Sequence, residues 1–121
     1  MPKPPIEEQI TWVYTHDLPA TVNFYGVQLG LEVVKDEGSA KIFAASTTAR
    51  IGVCTAFEDR VVEPRGSMIT LVTGEVDAWY EELCRAGVDI AGPPHVLEQF
   101  GIYTFFARDP NGYVVEFQQF L

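Results

Sequence analysis

One local design occurs twice along this chain of 121 residues, and a repeated design obliges the chain to fold as two like halves. Asp17-Leu-Pro-Ala-Thr-Val-Asn-Phe-Tyr opens with an N-cap residue and a Pro in the first turn. It then sets Leu18, Val22, Tyr25 and Leu29 at spacings of three and four, which predicts an amphipathic helix. Glu75 to Gly87 repeats the pattern with Val76, Trp79, Tyr80, Leu83 and Ala86 apolar, acids in the first turn, Arg85 in the last and a closing Gly. Each helix follows an alternating strand, Ile10 to Thr15 and Met68 to Thr73. Each precedes the same kind of tetrad, Gly30-Leu-Glu-Val33 and Gly87-Val-Asp-Ile90. The two copies are offset by about 57 residues, the size of one strand-helix-strands unit.

The chain ends in Arg108-Asp-Pro-Asn-Gly-Tyr-Val-Val-Glu-Phe-Gln118. Pro fixes φ, while Asn and Gly tolerate positive φ, so Asp109 to Gly112 predict a reverse turn that folds two strands back on each other. The strand after it alternates apolar residues with a single carboxylate, Glu116. On a simple edge strand that carboxylate would only mark the wet side.

Thr15-His-Asp-Leu-Pro-Ala-Thr-Val-Asn-Phe-Tyr-Gly-Val-Gln-Leu-Gly-Leu-Glu-Val33, together with Asp109-Pro-Asn-Gly-Tyr-Val-Val-Glu116, resembles the vicinal oxygen chelate superfamily, the glyoxalase, bleomycin resistance and ring-cleaving dioxygenase fold. The resemblance runs over residues 8 to 120. It implies an α+β fold in one domain, 1–121, made of two tandem βαβββ modules at about 8–58 and about 66–121. Their strands would form a curved, U-shaped mixed sheet around a cavity. It selects no activity, because the same scaffold hosts isomerases, lyases, dioxygenases and drug-sequestering proteins. Dimerisation within the family implies a homodimer.

Composition narrows the partners. A chain of this length with 47% apolar residues buries one core, and it contains no run of about 18 apolar residues that would span a membrane. Met1-Pro-Lys-Pro-Pro is too polar for a secretory leader. Cys54 and Cys84 lack metal or disulfide spacing and read as small buried hydrophobes in a reducing, cytoplasmic setting. Seventeen acids against eight bases give a net charge of −9, which repels nucleic acid.

Metal-dependent relatives, by the same resemblance, take one ligand from the first and one from the last strand of each module. Those positions fall here on Ile10, on Met68 or Ser67, on Gly52 or Cys54, and on Glu116. Ile and Gly side chains donate nothing, and Met and Ser are not usual ligands of hard or borderline ions. His16 lies six residues beyond Ile10, about 20 Å along a strand, too far for ligand bonds of about 2 Å. His95, after Pro93-Pro94 in a loop that could fold over the cavity, would add only a second ligand. No cofactor is expected, and a divalent metal only if ligands not evident in the sequence supplement Glu116.

Alternation instead places Ile10, Trp12 and Tyr14 on one face of the first strand, and Val114, Glu116 and Gln118 on one face of the last. Pairing across the turn aligns Tyr103 and Phe105 with Glu116, and a slip of one residue would substitute Thr104 and Phe106. The expectation is an aromatic cup holding a carboxylate, with Trp12, Tyr14, Tyr103, Phe105, Gln118 and His95 as ligand-binding residues. Glu116 in it suits an anchor for a cationic guest or a general base. Two functions follow: metal-independent binding of an aromatic or cationic small molecule between the modules, or a lyase, isomerase or dioxygenase-like enzyme using Glu116 as base or metal ligand.

Overall fold

The computed structural model describes residues 2–121. The chain divides into two compact units, the first ending at Val62 and the second Glu63–Leu121.

In the first unit β1 (Gln9–Thr15) leads into α1 (Leu18–Val22), followed by β2 (Glu32–Asp36), β3 (Ala40–Ala44) and β4 (Ala49–Thr55). The sheet order is β1-β4-β3-β2, with β1 parallel to β4 and the other pairs antiparallel. Asp17 caps α1 as its residue type demands, its side chain accepting from the Ala20 N–H at 3.1 Å. The helix then widens into a π-helical turn, Asn23–Gln28, in which the Leu29 N–H reaches back five residues to the Phe24 carbonyl at 2.9 Å. This widening changes the buried face from the one expected. Thr21, Phe24, Tyr25 and Leu29 are buried, whereas Leu18 and Val22 are only half-buried. Phe24 and Tyr25, adjacent in sequence, are both buried, as are Val13, Phe43, Ile51 and Val53 of the sheet, with Tyr25 and Phe43 ring centroids 6.3 Å apart.

The second unit contains β5 (Met68–Val72), α2 (Val76–Arg85), β6 (Asp89–Ile90), β7 (His95–Leu97), β8 (Ile102–Arg108) and β9 (Val114–Phe120). Its order is β5-β9-β8-β6, and β7 also pairs with β8. β6 and β7 are two pieces of one strand running antiparallel along β8, from Asp89 opposite Arg108 to Leu97 opposite Ile102. Gly92-Pro93-Pro94 interrupts it, because neither Pro has an N–H to give the ladder. The unit thus keeps the strand-helix-three-strand order with a broken middle strand.

Helix α2 packs on one face of this sheet. Phe105 and Phe117 stack with centroids 5.0 Å apart and planes 5° apart; Trp79 lies against Phe117 at 5.1 Å, and Tyr80 meets Phe105 edge-on at 5.5 Å. Burying each Phe is worth roughly 1.5–3 kcal/mol. The helix ends at Gly87, whose φ of 74° lets the Gly87 N–H reach Cys84 and the Val88 N–H reach Leu83. Cys54 is buried as expected, but Cys84 is exposed, on the outer side of α2. Among the described residues no helix is long and apolar enough to cross a membrane.

Candidate functional site

The β8–β9 connection, Asp109 to Tyr113, decides which side chains stand beside Glu116. Asp109 Oδ1 accepts the N–H groups of Asn111 at 2.8 Å and Tyr113 at 2.9 Å, closing a five-residue loop between Arg108 and its partner Val114. That register sets Phe106 opposite Glu116 and Thr104 opposite Gln118, while Phe105 pairs with Phe117. The expected alignment of Tyr103 and Phe105 with Glu116 is therefore corrected. Both lie on the other face, Phe105 in the core under α2 and Tyr103 donating its hydroxyl proton to Asp77 in the first turn of that helix. An odd-length connection pairs residues of like parity, which is the physical reason.

Glu116 is 4% exposed. Its Oε1 accepts from the Thr70 hydroxyl at 2.8 Å, and its Oε2 from the Thr104 hydroxyl at 2.7 Å. Thr70 stands directly across from Glu116 on β5, Gln118 shares the face one pair further along, and His95 pairs with Thr104. His95 lies in β7 rather than in a loop, with its ring 6.4 Å from Phe106 and Nδ1 3.2 Å from the Pro93 carbonyl. The structure thus gathers Glu116, Gln118 and His95 with Thr70, Thr104 and Phe106 on one face. Thr70 bears no motif, and only the parity of the loop points to Thr104 and Phe106.

On the first unit Ile10, Trp12 and Tyr14 share a face with Arg50, Gly52 and Cys54 of β4. Gly52 sits directly opposite Trp12, and a Cβ there would collide with the indole ring. The Trp12 and Tyr14 rings are 6.5 Å apart, with planes within 15°. Arg60, which no sequence pattern singled out, donates from Nη1 to the Tyr14 hydroxyl at 3.1 Å, and its guanidinium stands 5.7 Å from the centre of the Phe57 ring. A tight turn brings it there, with the Phe57 and Arg60 backbones bonded to each other at 3.0 and 2.8 Å. The Tyr14 hydrogen bond raises the Arg60 guanidinium above its usual value, so it is a permanent cation.

The four ligand positions implied by the resemblance hold Ile10, Met68 or Ser67, Gly52 or Cys54, and Glu116, a set whose one carboxylate is already engaged by two hydroxyls. Such a donor set does not fit a divalent ion. Among the described residues no three His, Cys, Asp or Glu side chains group to hold one.

The family model described as Glyoxalase/Bleomycin resistance protein/Dioxygenase superfamily matches residues 8–117. The chain belongs to that superfamily. Solved structures of the glyoxalase/bleomycin resistance/dioxygenase superfamily and its neighbours agree on the fold. A glyoxalase/bleomycin resistance protein/dioxygenase from Nocardioides is 21% identical, with 100% of this chain and 87% of that one covered at a TM-score of 0.77. A lactoylglutathione lyase from Agrobacterium tumefaciens is 24% identical over 96% of this chain and 95% of its own, at 0.72. TioX from Micromonospora sp. ML1 is 17% identical over 94% and 98%, at 0.75. No match was found among curated proteins. At these identities the structural likeness carries the superfamily's α+β fold and no particular activity.

Proposed function

We propose that this protein binds a flat organic molecule, aromatic or cationic, without a resident metal ion, and that Trp12 and Tyr14 form the surface it lies on. The observation that carries this reading is the Trp12–Gly52 pair. β4 is an interior strand, where a Gly weakens the sheet, yet that Gly is what lets the indole lie across it. Tyr14, accepting from Arg60, keeps its own proton to donate to a guest. The net charge of −9 favours cationic guests at long range.

The test uses tryptophan fluorescence in a Trp79→Phe background, titrated with flat organic cations and with neutral isosteres. Saturable quenching is expected, and in a calorimetric titration of the otherwise unaltered protein Trp12→Ala should weaken binding about tenfold, the scale of one desolvated cation–π contact. No quenching by either series would sink the proposal. Protein dialysed without chelator should hold far less than one equivalent of zinc, nickel, iron or manganese by elemental analysis, and stoichiometric metal lost on Glu116→Gln would refute metal independence.

A second reading, a lyase or isomerase with Glu116 as base, is favoured by the carboxylate held in place by Thr70 and Thr104. It predicts turnover that disappears in Glu116→Gln while guest binding persists.

A further inference from the structure

The second unit is strongly acidic, with nine carboxylates against three arginines between Glu63 and Leu121. Arg85 is held by Glu82 at 3.2 Å on the outside of α2. The other two, Arg65 and Arg108, line a single groove of about 720 Å³ with Pro64, Gly66, Ser67, Met68, Gly112 and Val114. A volume in this range suits a small molecule.

Neither guanidinium is neutralised well. Arg65 is almost wholly exposed and has one carboxylate within reach, that of Glu63, at the outer limit of 3.9 Å. Arg108 forms no ion pair among the described residues and donates only a long 3.4 Å bond to the Gly112 carbonyl. The Ser67 hydroxyl has no hydrogen-bond partner among the described residues. The register adds the location. Arg108, Val114 and Met68 form one row across β8, β9 and β5, on the same face as Phe106, Glu116 and Thr70. The two rows are separated by two residues, about 6.6 Å along the strands.

We propose that this groove binds an oxyanion, the carboxylate or phosphate of a small organic molecule, through Arg65 and Arg108. Guanidinium groups take both chemistries by the same paired N–H···O geometry, and the apolar stems of Pro64, Met68 and Val114 leave room for the carbon skeleton. In a chain whose overall charge repels anions, recognition has to be this local. The inference stands apart from the Trp12 surface, which belongs to the first unit, so either can fail alone.

The test is a titration of the whole protein with inorganic phosphate and, separately, with benzoate, at constant ionic strength, followed by amide NMR shifts. Saturable shifts at Gly66, Ser67, Gly112 and Val114 are expected with at least one of the two and none with chloride. A response to phosphate alone assigns the group to a phosphate ester, and to benzoate alone to a carboxylic acid. Arg65→Ala, at an exposed loop position with no part in the sheet, should weaken the response about tenfold, one charge-assisted hydrogen bond's worth. Arg108→Gln should do the same, its fold checked by the unchanged remainder of the spectrum, and Arg85→Gln should have no effect. Non-saturating shifts, equal shifts with chloride, or unchanged binding in Arg65→Ala would overturn the proposal.

Discussion

The Thr104 hydroxyl carries one proton and has two acceptors in reach, Glu116 Oε2 at 2.7 Å and the Phe117 carbonyl at 3.1 Å. That arrangement tells how Glu116 can be altered. In Glu116→Gln the amide oxygen can still accept from Thr70, while the new NH₂ donates to Thr104 Oγ1 and the Thr104 proton turns to Phe117. Both hydroxyls and the amide oxygen stay paired and one amide N–H is left over, so denaturant unfolding should show a change of about 1 kcal/mol. Glu116→Ala removes both acceptors and leaves a void, and should cost about 2–4 kcal/mol. Equal losses in the two variants would mean that the charge itself, not the pairing, holds this part of the sheet together.

At the level of elements, Tyr103 ties β8 to the first turn of α2 through Asp77. Donating its proton to that carboxylate raises the Tyr103 phenol above the usual value of 10.0. Because the folded value is the higher one, the bond's stabilisation is fully present below pH 10 and is lost as pH rises through the folded value. Ultraviolet titration should therefore show one tyrosine ionising late, and Asp77→Asn should bring it back towards 10.0. The β8–β9 hairpin, by contrast, shows where sequence reading reached its limit. Asp109-Pro-Asn-Gly announced the turn and the two strands correctly, since those residue types have few other uses in a row. Whether the connection held an even or odd number of residues was not legible, because it depends on Asp109 also capping the Tyr113 N–H. With the Asp109 N–H bonded in turn to the Tyr113 carbonyl, the five-residue connection puts Phe105 under the helix and Thr104 beside Glu116. Likewise Asp17 and Pro19 fixed where α1 begins, and Tyr25 and Leu29 are buried as their spacing predicts, but no residue type announces a π-helical turn, so the burial of Phe24 beside Tyr25 was not foreseen. Trp12 and Glu116 were readable as face residues from alternation alone; Arg60 and Thr70 owe their positions to a turn and a neighbouring strand.

For the whole molecule the excess of acids sets the response to salt. Among the described residues, four of the five side-chain ion pairs have a carboxylate and a cation that are each substantially solvent-exposed or merely local along the chain, so they contribute little. Self-repulsion from the charge of −9 is the larger effect. Thermal melts should rise as NaCl goes from about 0.01 M to about 1 M, where the screening length falls from about 30 Å to about 3 Å. A falling melting temperature would show that attractive pairs dominate instead. The same chain also carries one rung in two versions: Trp12 across from Gly52 in the first unit, Thr70 across from Glu116 in the second. Any side chain at position 52 meets the indole, including the glutamate that would match the twin rung. The two positions are consequently coupled: Gly52 can grow only once the indole has turned aside or shrunk, so the tryptophan acts as a latch on what position 52 accepts.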